Sequence, residues 1–360
     1  MVTIVVAKNQ SPRPHIVSEV CSIVKENFYD KKKLVDWDKK CSFYRKKADA
    51  ASNHQQVLDL IAEMLGTMGV SHLRVLEPDV FHFDVYCEMN NIKAPSFGFD
   101  LFEHDGQIKV RDVLDGSAAY DAGIARGDVL VKINGEPTKS SRLLRPAGTG
   151  AGYHIFPEGP VKLFFVRDGN VMEKTVYPKN WNHIDAIERS AHLENFGDEQ
   201  FGYVHLWHMS NKIVLEILDS LLKGGFRDAS GLVLDLRGFG GNIEYPAIVT
   251  NMIMSWGKPV VAVTDGNTRS SKEMLAYLLR KNKAAVIVGE RTLGAVLGSH
   301  FFPLSDGSQI IVPTISCASM TDGVSLEKNG VRPDVYVKDV LGVRDPILEG
   351  SARVLRSMTR

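Results

Sequence analysis

The chain has 360 residues, 44% of them hydrophobic and 24% charged, with 43 Lys+Arg balanced by 43 Asp+Glu. Such a composition describes a globular protein long enough for two or three domains, and a formal net charge of zero argues against nucleic acid, anionic membrane surfaces or strongly charged polymers as partners. No stretch is long and apolar enough to span a bilayer, and MVTIVVAKNQSPRPH has too short an apolar run and no basic lead for a signal peptide.

A cytoplasmic location is therefore expected, or an exported one if the chain was trimmed. Cys21, Cys41, Cys87 and Cys317 lack CxxC spacing, which predicts buried free thiols and neither a disulfide framework nor a zinc site. Residues 1–70 read as a helical unit. Ile16, Val17, Val20, Ile23, Val24 and Phe28 make one apolar stripe, Val57, Leu58, Ile61, Met64 and Leu65 another, and a polar helix over 39–51 lies between them. Residues 71–94 hold a strand over 73–76 and a linker, with His72 at the join. A lone histidine there reads first as a surface or hydrogen-bonded residue.

Residues 95–178 change character. Strands over 108–113 and 128–133 flank a short Ala-rich helix over 117–122, and VKLFFVRDGNVMEKTVYP forms a hairpin turned at Asp168-Gly169-Asn170. The run SAAYDAGIARGDVLVKING closely resembles a PDZ domain. That resemblance implies a peptide strand added beside a sheet edge, its C-terminal carboxylate held by the loop Ser96, Phe97, Gly98 and Phe99. A PDZ fold used only for internal packing is the other reading. The Gly- and Pro-rich insert over 142–160 reads as a mobile loop or lid.

After a linker over 181–195, strands and helices alternate through 179–343, implying an α/β core with parallel pairing and a site at the strands' carboxyl ends. Two of those ends carry the chemistry. GLVLDLRGFGGN (231–242) runs a buried strand into a three-glycine loop, and the strand over 259–263 leads to Ser270 at the mouth of a helix with Met274, Leu275, Leu278 and Leu279 on its apolar face. A hydroxyl beside unpaired helix N–H groups and a glycine loop make up a serine nucleophile with an oxyanion hole, although a helix-start serine is usually a plain cap. Beyond Gly289 the pattern turns β-rich, and a helix in 344–360 closes the chain. GFGG lacks the Lys-Ser/Thr of a phosphate loop, so neither a cofactor nor a metal is expected.

LVLDLRGFGG, the serine-helix segment, VIVGERTLG, LSDGS and NGVRPDV together resemble the tail-specific, or C-terminal processing, serine peptidases, over nearly the whole chain. The serine/lysine members carry a lysine 25 residues after the nucleophile, where this chain has Ala295. Lys272 is a poor substitute, since two residues along a helix is about 200° of rotation. The tricorn-core branch lacks that lysine and uses a histidine before the PDZ position and a late glutamate, positions held here by His72 and Glu327.

The resemblance thus implies Ser270 as nucleophile, His72 as general base and Glu327 as supporting carboxylate, touching His72 directly or through another polar group. The oxyanion is expected on the backbone N–H groups of Gly240, Gly241 and Ser271. Phe239 and Asn242 stand where the family has asparagine and a third glycine. Ser271 is the rival nucleophile, and Asp235, Arg237, His205 and His208 read as structural or cleft-lining. The expected function is a metal-free serine endopeptidase acting on unfolded or tail-exposed polypeptides. The alternatives are a non-catalytic PDZ-containing peptide- or ligand-binding protein of the same fold and a narrow processing enzyme for one partner.

Overall fold

A computed structural model describes residues 15–146, 152–196, 199–342 and 344–359. The first fourteen residues, read above for a signal peptide, and residues 147–151 of the presumed lid lie outside the described residues. The chain divides into two compact units, one running to Phe81 and including Ala295–Glu327, the other comprising His82–Gly294 and the chain from Lys328 onwards.

In the first unit, helices His15–Asn27, Trp37–Asp49 and His54–Gly66 turn their apolar stripes to a common core. Ile16, Val20, Val24, Phe28, Ile61 and Met64 are buried there with Ile310 and Val312. Asn53 caps the third helix by accepting the Gln56 N–H at 3.0 Å. The last two core residues come from a strand far along the chain. Gln309–Ser316 pairs antiparallel with Arg74–Leu76 on one side and Leu297–Pro303 on the other, so part of the β-rich segment belongs with the N-terminal helices.

The cysteine expectation needs correcting. Cys21 and Cys41 are joined in a disulfide, because the facing stripes of two adjacent helices bring their Cα atoms to 6.0 Å. Cys87 and Cys317 are free and buried.

The second unit is α/β. Its six-stranded sheet runs in the order His192–Phe196, Glu199–His205, Gly231–Asp235, Val260–Thr264, Val286–Gly289, Val335–Tyr336, with only the first strand antiparallel. Gly231–Asp235 and Val260–Thr264 are buried throughout, as continuous apolar runs in a parallel sheet require. Ile347 and Leu355 of the helix Pro346–Met358 pack on one face against Val233, Val261 and Val288. The stretch expected to be a linker before this sheet contains the helix His183–Ser190, capped by Asn182 accepting the Asp185 N–H at 3.1 Å.

The PDZ portion of the same unit is an open eight-stranded sheet, with Phe99–His104 between Gln107–Val113 and Tyr153–Ile155. The insert over 142–160 supplies that last strand and its neighbour Leu144–Pro146, not a loop alone.

Candidate active site

The strand Val260–Thr264 delivers the chain into a turn held by Asp265, whose Oδ1 accepts the Thr268 N–H at 2.7 Å and the Thr268 hydroxyl at 2.8 Å. Ser270 follows with φ 58° and ψ −129°, a conformation that a side-chain-bearing residue reaches only under restraint. The restraint is Glu273. Its Oε2 accepts the Ser270 N–H at 3.1 Å, while Oε1 accepts the Thr292 hydroxyl and the Gly294 N–H, both at 2.6 Å. Glu273 is fully buried, so the Ser270 turn is clamped to the GERTLG segment by a carboxylate that accepts from these donors.

Gly240 lies directly against this serine. A Cβ at Gly240 would stand 2.5 Å from Ser270 Cβ and 3.0 Å from its Oγ. Its carbonyl accepts the Met209 N–H at 2.9 Å, and the Met209 carbonyl accepts the Asn242 N–H at 2.9 Å, fixing the loop to the end of a neighbouring strand. Gly241 has φ 157°, and a Cβ there would collide with the Met209 backbone at 2.1 Å. Gly240→Ala is therefore expected to leave a folded protein with activity lowered at least about 100-fold. Circular dichroism and kcat measured together would check this.

Asn242, in the family's glycine position, accepts the Glu244 N–H at 2.8 Å and turns the chain into the helix Tyr245–Trp256. Ser270 is partly exposed, whereas Ser271 is fully buried and its hydroxyl has no hydrogen-bond partner among the described residues. That contrast favours Ser270 as the nucleophile.

Beneath the loop is a buried polar network. Arg237 Nη2 donates to Asp235 Oδ2 at 2.6 Å and Nη1 to Asp345 Oδ2 at 2.6 Å. Burial opposes ionisation of Asp235, yet the Arg237 guanidinium holds its carboxyl below the usual carboxylate range. His205, stacked on Trp207 with ring centroids 3.5 Å apart, is pushed down to about 3 by burial. Lys272 is fully buried and donates to the carbonyls of Arg237 at 2.7 Å and Trp207 at 3.1 Å.

The residues expected to supply the base lie in the first unit. His72 occupies a left-handed turn, φ 57°, just before the strand Arg74–Leu76. Its Nδ1 is 2.8 Å from Ser71 Oγ. Ser71 donates its hydroxyl to Glu327 Oε2 at 2.8 Å and its N–H to Oε1 at 2.8 Å, and the Val296 N–H also donates to Oε2 at 2.8 Å.

The proton count assigns the imidazole tautomer. A hydroxyl has one hydrogen, and Ser71 spends it on a carboxylate that only accepts, so Ser71 Oγ must accept from Nδ1–H. The lone pair then sits on Nε2, as a general base requires. Glu327 is linked to His72 through Ser71, a residue not singled out in the sequence. Only its place beside His72 hinted at the role. Ala295, at the lysine position, is a buried methyl group.

The expected carboxylate loop borders a cavity of about 130 Å³ whose other walls include Phe83, His183, His208 and Phe239. Gly98 has φ 77°, but its N–H is already donated to Ser96 Oγ at 3.0 Å. The edge of the strand Phe99–His104 is paired by Tyr153 opposite Leu101. His208 is pushed down to about 3 by burial. Among the described residues no group of three or more His, Cys, Asp or Glu could hold a metal ion.

Residues 250–337 match the peptidase family S41 model, 13–66 the tricorn protease C1 domain and 109–143 a PDZ domain. The chain is 26% identical over 358 residues to the chloroplastic C-terminal processing peptidase of Tetradesmus obliquus, covering 89% of this chain and 76% of that one. It is 23% identical over 322 residues to the carboxyl-terminal-processing protease of Synechocystis sp., covering 80% and 73%. Against tricorn protease homolog 1 of Streptomyces coelicolor the identity is 25% over 360 residues, covering 88% of this chain but only 32% of the relative.

The photosystem II D1 C-terminal processing protease shares the fold with a TM-score of 0.59 at 22% identity, covering 95% of this chain and 97% of that one. The tricorn protease does so with a TM-score of 0.54 at 15% identity, covering 96% and 37%. The chain thus spans about three quarters of these two processing peptidases and about a third of the tricorn homolog. By these matches the chain is similar to the serine peptidases of family S41, and its 109–143 segment to a PDZ domain.

Proposed function

We propose that the chain is a serine endopeptidase that cleaves unfolded or tail-exposed polypeptides through a Ser270 acyl-enzyme, with His72 as general base. The observation that carries this reading is the Glu327–Ser71–His72 relay, which leaves the imidazole in the tautomer that accepts a proton at Nε2. Ser270 Oγ attacks the scissile carbonyl carbon while its proton passes to His72 Nε2. The tetrahedral adduct's negative oxygen is met by backbone N–H groups of Gly240, Gly241 and Ser271. Its collapse breaks the C–N bond, and the imidazolium returns the proton to the leaving amine. Water, deprotonated by the same nitrogen, then hydrolyses the acyl ester and restores Ser270.

Glu327 supports the imidazolium across the Ser71 hydroxyl. No step needs a metal or cofactor. The Cys21–Cys41 bond supports an oxidising compartment, and hence the exported alternative over the cytoplasm.

The PDZ loop at Ser96, Phe97, Gly98 and Phe99 is proposed to receive the substrate's C-terminus. A tail must displace Tyr153 from the strand edge and compete with Ser96 for the Gly98 N–H, so recognition is expected to be weak and dependent on the free carboxylate. The test compares an unfolded polypeptide with its C-terminally amidated form. Amidation is expected to raise KM about tenfold with kcat unchanged. No cleavage of either would refute the peptidase reading, and equal KM values would refute tail recognition alone.

A further inference from the structure

We propose that Lys272 is the positioning residue of the oxyanion loop, its side-chain nitrogen bracing the two backbone segments that hold Gly240 and Gly241 beside Ser270. This rests on the serine-peptidase reading above and assigns Lys272 a role other than that of the base for which it was a poor candidate.

Lys272 Nζ donates to two acceptors. Both acceptors are backbone carbonyls, and both stand just upstream of the loop. The Arg237 carbonyl, which also lies 3.1 Å from His205 Nε2, belongs to the peptide leading into Gly238. A peptide unit is planar, so pinning that carbonyl also directs the Gly238 N–H to the opposite side. The Trp207 carbonyl lies two residues before Met209, whose N–H and carbonyl grip Gly240 and Asn242. One amine therefore ties the loop and its flanking strand end to the helix Ser271–Lys281, whose cap Ser270 is two residues away.

The brace matters because there is no slack. With Gly240 packed directly on Ser270, a displacement of either segment by a few tenths of an ångström changes where the loop's N–H groups stand relative to the nucleophile.

Energetics argue against a purely structural role. The amine is fully buried and its hydrogen bonds are made to neutral groups. Burial pushes it down to about 7, against the attraction of Asp235, Asp265 and Asp112 and with the repulsion of Arg237. His205, on the adjacent strand, faces the same network. A methionine of similar length would fill this space without a charge to desolvate, so desolvation favours an apolar residue here. A lysine that is costly to bury yet holds two carbonyls behind the glycine loop is the pattern of a functional residue.

The test is Lys272→Met, read by kcat and KM, by affinity for a peptidyl boronate whose tetrahedral adduct occupies the oxyanion hole, and by thermal unfolding. The expected result is a fall in kcat of about 10- to 100-fold with KM little changed, and an equal fall in boronate affinity. The unfolding midpoint at pH 7 is expected to match or exceed the wild type. Burial depresses the folded-state amine, so between pH 7 and 9.5 the unfolded chain binds more protons and wild-type stability rises with pH through this group. Subtracting the Lys272→Met curve isolates that rise.

Unchanged kcat would overturn the proposal, as would a variant that loses kcat, substrate binding and thermal stability together. Lys272→Gln, which keeps an N–H donor, is measured alongside. Activity between that of wild type and Lys272→Met supports the brace, and activity at or below that of Lys272→Met opposes it. Fluorophosphonate labelling of the wild type keeps the two claims apart. An inert wild type refutes the peptidase reading, whereas a labelled wild type with an indifferent Lys272→Met refutes only the brace.

Discussion

Ser270→Ala is expected to lower polypeptide hydrolysis by roughly 10⁴- to 10⁶-fold while leaving the fold and thermal midpoint intact. The size follows from removing the atom that forms the acyl bond, which no neighbour replaces. Ser271 is fully buried, and its hydroxyl has no hydrogen-bond partner among the described residues to activate it. Stability should hold because alanine keeps the backbone N–H that Glu273 accepts, so the clamp on the strained turn survives. Steady-state hydrolysis and thermal unfolding of the purified variant check both halves. Activity within about tenfold of wild type would exclude Ser270 as nucleophile.

The second large effect concerns the relay, whose members should fail in a definite order. His72→Ala removes the base and is expected to approach the Ser270→Ala level. Ser71→Ala leaves the imidazole but takes away the acceptor that holds Nδ1–H, so the ring loses both orientation and tautomer, at a cost of roughly 10²- to 10³-fold in kcat. Glu327→Gln is expected to cost less, about 10- to 100-fold, since the Ser71 hydroxyl remains beside the ring.

A pH profile separates this relay from simple packing. Without the carboxylate, the imidazolium is less stabilised, so the acid limb of kcat/KM should move to lower pH in both Ser71→Ala and Glu327→Gln. Equal activity for Ser71→Ala and wild type would show that Glu327 does not act through Ser71.

How much of this was legible in the sequence depended on whether a residue acts locally or through distant pairing. The helical stripes of residues 16–28 and 57–65 and the buried runs at 231–235 and 260–264 carry their own periodicity, and the corresponding helices and strands are present. Helix His183–Ser190 was missed because two turns give too short a period, although Asn182 three residues before Asp185 was a readable cap. The Cys21–Cys41 bond follows from two helices packing together, which spacing alone does not disclose.

The strand Gln309–Ser316 joins the N-terminal helices through residues more than 200 positions away, a pairing invisible to any local window. In the candidate site, Ser270 was legible from its place at a helix mouth beside a glycine loop, whereas His72 and Glu327 came from family resemblance. Ser71 needed the left-handed turn at His72 to aim its hydroxyl, and Lys272 needed the fold of the 237–242 loop to become a buried donor.

Activation of Ser270 by His72 is read by intact-mass labelling with a fluorophosphonate probe. A single adduct is expected on the wild type and on Ser271→Ala, and none on Ser270→Ala or His72→Ala. An adduct that persists in Ser270→Ala, or a folded wild type that takes up no probe, would contradict it.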